Sequence, residues 1–120
     1  LDIAIEFGET LPEWIEIGKV ADLSKQQLLE TQIDKGESSA IALAMEIPNS
    51  TIILDDYKAR KIASHLKLTY TGTIGVIIKA KKLGIISSIK PILQKIKETN
   101  FRLSTEIELQ ALIEAGEYVI

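Results

Sequence analysis

Apolar positions along this chain change their period from segment to segment, and the changes mark out the elements. Residues 14–20 alternate apolar and polar, the two-residue period of a half-buried strand. Ser24 can cap a short amphipathic helix over residues 25–33, and Asp34-Lys-Gly36 makes a turn. Residues 38–47 are apolar on nearly all sides, which predicts a helix buried on several faces, and Pro48-Asn-Ser50 stops it. The short apolar run 51–54 suits a parallel strand covered on both faces. Asp56 can then cap a helix over 57–66, with a further strand at 68–70. Three helices follow, over 72–83, 89–99 and 105–115, with Gly84 placed for the C-cap of the first and Gly116 ending the last. Strands alternating with helices predict an α/β layered domain with a mostly parallel sheet.

Composition adds bounds to this picture. The 120 residues allow one domain with a real core. Apolar residues make up 46% and charged ones 26%, and no apolar run reaches the roughly 20 residues of a transmembrane helix. A cytoplasmic protein with no membrane contact is expected. No cysteine is present, so disulfides, thiolate ligands and thiol nucleophiles are all excluded. The chain starts at Leu1, and its first seven residues look like the tail of a helix, so a missing upstream segment is expected.

Charge is unevenly distributed, although the net value is only −3. Residues 57–97 contain ten Lys and Arg and no acid, whereas residues 1–56 carry a net −9 and residues 98–120 a net −4. Lysines on helix faces usually do no more than solvate them. An acid-free block of 41 residues behind an acidic cluster is instead what a phosphodiester-handling protein needs. Lys58, Arg60, Lys61, Lys79, Lys81 and Lys82 are the candidate nucleic-acid contacts.

The acidic cluster is Gly36-Glu37 at the start of a buried helix and Asp55-Asp56 at the end of an apolar strand, with Arg60 one helical turn later and Thr71-Gly-Thr-Ile-Gly75 after the next strand. Each acid has an ordinary explanation: Asp56 caps a helix, and Glu37 answers a helix dipole. Helix stability does not require all of them in this order. In parallel sheets ligands bind outside the carboxyl ends of strands, where Asp55 and Thr73 both fall. Hard divalent cations take such carboxylate oxygens, with waters and phosphates completing the shell. Thr71-Gly-Thr-Ile-Gly75 could also hold an anion on backbone amides. The lone His65 is expected to be structural or exposed, and Trp14 to pack in the core or at an interface.

These motifs, with Asp34-Lys-Gly-Glu-Ser-Ser-Ala-Ile-Ala-Leu-Ala44, Ile53-Leu-Asp-Asp-Tyr-Lys-Ala-Arg60, Ala80-Lys81, Asn100-Phe-Arg-Leu-Ser104 and Ala115-Gly-Glu117, resemble the PIN domain, and within it the DUF3368 group. The likeness runs from about Trp14 to Glu117. It implies a three-layer α/β/α sandwich with a mostly parallel sheet and a metal-dependent ribonuclease site, often in the toxin half of a toxin–antitoxin pair. Carried over, Glu37, Asp55 and Asp56 would be the catalytic acids and hold Mg²⁺ or Mn²⁺. Arg60 would pair with Asp56 or touch the scissile phosphate, and Thr73 would bind near the metal. RNA, an antitoxin protein and a second copy of the chain are the implied partners. Family members begin with a strand ending in a motif like Asp-Thr-Ser, whose Asp is a principal metal ligand. That region is not in this sequence, so residues 1–120 are expected to be a single, N-terminally incomplete domain. The alternative is a catalytically inactive PIN-like module that binds RNA or a protein. A receiver-like phosphorylation switch would need a further Asp at a strand end, and no Asp lies between Asp56 and Lys97.

Overall fold

The structure is a computed structural model and describes residues 12–118. Six helices and two strands are formed among them, in two compact units that divide after Ser50.

The first unit carries α1 (Leu23–Leu29) and α2 (Lys35–Glu46). Capping sets both starts. Asp22, not Ser24, caps α1 by accepting a hydrogen bond from Lys25 N at 3.2 Å. Asp34 caps α2 through Glu37 N at 2.8 Å, so the helix begins three residues before the predicted residue 38. Both Asp and Ser satisfy orphan N–H groups, which is why either residue was admissible from sequence. Ile33, Ile41, Ala42 and Ala44 are buried, and Ser38 is buried with its hydroxyl 3.5 Å from the Ile33 carbonyl, which accepts.

Residues 14–20 do not form the expected strand, and Trp14 is 81% exposed, which excludes it from the core. Period-two alternation marks a face but supplies no partner, and a strand exists only when a ladder does. The segment is fastened instead at its C-terminal end. The Glu46 carboxylate accepts from Asp22 N and Ala21 N, and these bonds hold its pKa below the ordinary carboxylate value. The expected helix tail at the N-terminus lies outside the described residues.

In the second unit β1 (Thr51–Ile53) and β2 (Thr69–Thr71) pair in parallel, with Thr51 opposite Thr69 and Ile53 opposite Thr71. The connection is α3 (Tyr57–His65), giving a β-α-β unit. Asp56 caps it by accepting from Ala59 N at 2.9 Å, as predicted. Ile52 is buried but Ile53 is 57% exposed, so the apolar run is covered on one face among the described residues, not on both.

Three helices complete the unit: α4 (Thr73–Lys82), α5 (Lys90–Lys97) and α6 (Thr105–Glu114). Their shared core is Ile78, Ile89, Leu93, Ala111 and Ala115, flanked by Ile74, Ile77 and Leu112. Ser104 caps α6 through Ile107 N. Gly84 and Gly116 end α4 and α6 at φ +75°, a left-handed position that L side chains occupy only with strain. After Gly116 the chain turns back, and Glu117 accepts from Ser88 Oγ at 2.5 Å and Ile89 N at 2.7 Å, next to Lys81 Nζ at 3.3 Å. Glu117 thus serves the N-terminus of α5 from a distant point in sequence. No described helix is long and apolar enough to cross a membrane.

Candidate functional site

Asp55 lies two residues beyond the end of β1, at the carboxyl end of the parallel pair. Its Oδ1 accepts from Thr73 N at 2.8 Å and its Oδ2 from Thr73 Oγ1 at 2.6 Å. Thr73 is the first residue of α4, so one carboxylate satisfies an orphan N–H of that helix, which has no cap from the side chain of its own Gly72. The Asp side chain is thereby fixed in one rotamer at the point where the β1 and β2 ends meet.

Arg60 comes from the first turn of α3. Its Nε donates to the Leu54 carbonyl at 2.6 Å, its Nη2 lies 4.0 Å from Asp55 Oδ1, and its guanidinium carbon sits 5.7 Å from the Tyr70 ring centroid. The Arg60 partner is therefore Asp55; the resemblance had offered Asp56 or the scissile phosphate. A Cβ at Gly72 would fall on the Arg60 guanidinium and reach 3.0 Å from Asp55 Oδ1, so the glycine leaves the room in which the pair sits.

Asp55, Arg60 and Gly72 line a cleft of about 390 Å³. Ile74, Ile78 and Ala111 form part of its wall, and Phe101, Arg102, Gln110 and Glu114 stand round it from α6 and the loop before it. Gln110 Nε2 donates to Glu114 Oε1 at 3.3 Å. A shallower hollow with Lys79 and Lys82 shares Gly75, Ile78 and Glu114 with the cleft. Sequence reasoning assigned no role to Arg102, yet a signal was there: it is the single cation in the acidic segment 98–120.

Of the expected site residues, Asp55 meets both Thr73 and Arg60, and Asp56 is occupied as a cap. Glu37 lies in the first turn of α2, in the other unit. Lys58, Lys61, Lys79 and Lys82 are exposed. Lys81 is instead half-buried and ion-paired with Glu117, which puts its charge to use inside the protein. The Ser88 hydroxyl, the Ile89 N–H and Lys81 together pull Glu117 down from 4.5 to about 2, against the opposing effect of burial.

A family model described as DUF3368, a PIN domain, matches residues 4–117 of the 120. The chain belongs to this PIN-domain family. Searches of curated proteins and of solved structures returned no match. The mixed helices and the small parallel sheet agree with a PIN-like α/β fold.

PIN domains generally use divalent metal ions. The donors here bear on that requirement directly. Each oxygen of an ionised carboxylate has about two lone pairs, and the hydrogen bonds that Asp55 and Asp56 accept leave some of them unspent. Hard oxygen donors of this kind suit a hydrated ion bound through one or two carboxylates. Among the described residues no group of three or more His, Cys, Asp or Glu could hold a metal.

Proposed function

We propose that this chain is a PIN-type metal-dependent endoribonuclease, the toxin component of a toxin–antitoxin pair. The observation that carries the proposal is Asp55, locked by Thr73 and set beside Arg60 in a cleft at the carboxyl ends of parallel strands. Asp55 and Asp56 would hold Mg²⁺ or Mn²⁺, and Glu37 is the third candidate ligand. The ion, when bound, supplies an activated water and charge stabilisation at the leaving oxygen.

The chain's own residues do the rest. Thr73 fixes the Asp55 carboxylate in orientation, so no rotamer freedom is lost when a substrate arrives. Arg60, tied by Nε to the backbone and with Nη2 toward Asp55, would offer its Nη1 N–H groups to a phosphate oxygen. Lys58, Lys61, Lys79 and Lys82 add a diffuse positive field that attracts RNA with little regard to base sequence. Cytoplasmic RNA is the expected substrate, and an antitoxin or a second copy of the chain the expected protein partner.

Cleavage of single-stranded RNA in Mn²⁺ and in EDTA tests the proposal. Asp55→Asn is expected to abolish cleavage while leaving RNA binding intact or tighter, because it removes both a ligand and a negative charge near phosphate. Glu37→Gln decides the role of Glu37 by the same assay. Equal cleavage in EDTA, or full activity in Asp55→Asn, would replace this mechanism. A second proposal, an inactive RNA- or protein-binding PIN module, is favoured by the absence of a three-ligand group among the described residues.

A further inference from the structure

We propose that Phe101 and Arg102 form a nucleotide subsite for single-stranded RNA, in which Phe101 stacks on a base and Arg102 grips the adjoining phosphate. The inference rests on the ribonucleolytic proposal for its substrate class, and it adds residues that the PIN resemblance does not assign.

Four observations carry it. Arg102 lines the same cleft as Asp55 and Arg60, on the side built by the loop between α5 and α6. It is exposed, and it has no hydrogen bond or ion pair with any described residue, whereas Arg60, Lys81 and Lys97 are all paired. A guanidinium left unpaired at a cleft mouth, in a segment otherwise acidic, is a fork of N–H donors held ready for a bidentate anion. Phe101 is half-buried beside it, with its backbone N–H held by Thr99 Oγ1 at 3.2 Å, so one ring face can be presented while the backbone stays fixed.

Size and continuity fit the same ligand. The cleft, at about 390 Å³, falls within the roughly 300–1,000 Å³ of small-ligand clefts. Its walls include both aliphatic side chains and polar groups, as a nucleotide with an apolar base face and a charged phosphate requires. The hollow carrying Lys79 and Lys82 continues from it across Gly75, Ile78 and Glu114, giving the next phosphates along a strand somewhere to lie. Single-strand recognition generally combines such a cationic track with an aromatic platform.

The test uses the full chain, a fluorescently tagged single-stranded oligouridylate, and anisotropy titrations in EDTA so that cleavage cannot interfere. Arg102→Ala is expected to weaken binding at least about fivefold and to reduce the salt slope by about 0.7, the share of one phosphate contact on a single strand. Phe101→Leu should weaken binding by about fivefold or more while leaving the salt slope unchanged, since stacking releases no counterion. Lys95→Ala, an equal loss of charge on α5, should leave both unchanged. Circular dichroism checks the fold of each variant, and Arg102→Lys, expected to keep the salt slope but lose affinity, serves if the alanine variant misfolds.

Arg102→Ala binding like wild type overturns the subsite and leaves the ribonuclease proposal to its own cleavage assay. Arg102-dependent binding without cleavage in Mn²⁺ overturns the ribonuclease proposal and keeps the subsite. Absence of RNA binding by the wild-type chain overturns both.

Discussion

At the residue scale, Gly72 leaves the room that the Arg60 guanidinium occupies beside Asp55. The guanidinium of Arg60 occupies the space a Cβ would need, and the guanidinium is itself anchored to the Leu54 carbonyl and stacked toward Tyr70. Gly72→Ala therefore displaces the tip of the Arg60 side chain, pulling the guanidinium away from Asp55 and straining its bond to the Leu54 carbonyl. A weakened hydrogen bond of this kind costs about 1 kcal/mol. Thermal denaturation should show that loss, and RNA cleavage should fall with it; a variant with wild-type stability and activity would contradict the geometry. Asp55, Arg60 and Thr73 were legible as a cluster because strand ends and helix starts can be read from short apolar runs. Their pairing was not legible, since Arg60 turns to Asp55 through a side-chain rotamer that sequence spacing leaves open.

Helix and strand boundaries show the same division between local and non-local causes. Most helices were readable to within a few residues, as caps and glycine stops are local. Residues 14–20 alternate without forming a strand, because a strand needs a partner that periodicity cannot name. Glu117 was invisible as a cap for α5, because it lies 28 residues from Ile89 along the chain. Its depressed pKa gives a signed expectation. The folded state binds its proton at about 2 and an unperturbed carboxyl at 4.5, so the unfolded chain takes up the proton first as pH falls. The stabilising contribution is then complete above about pH 5 and is lost progressively toward pH 2. Urea unfolding at pH 7 and at pH 3 should show wild type losing stability and Glu117→Gln, already less stable at pH 7, losing less of it. Lys81→Ala should lower stability through the same network, an effect not expected from a lysine that only touches phosphate.

At the scale of the whole molecule one family model spans residues 4–117, and within that span the described residues form two compact units that divide after Ser50 without a linker signature in the sequence. The sheet has two strands among the described residues, and each is paired on one side only. Unpaired strand edges invite further strands, most of all where apolar side chains accompany them. Ile53, Tyr70, Val76, Leu83 and Ile85 line an exposed hollow of about 560 Å³ along that pair. A net charge of only −3 supplies little repulsion between copies. Self-association at micromolar concentration is the expected outcome, measurable by light scattering or sedimentation. Ile53→Lys should shift the chain toward monomer, since it places a charge on the solvent face of β1 without touching the buried Ile52. Lys58→Ala, the loss of an exposed charge on α3, should leave the distribution unchanged. A well-folded wild-type monomer across that concentration range would mean that these apolar side chains and open edges are tolerated in water, and the expectation of association would fall with it.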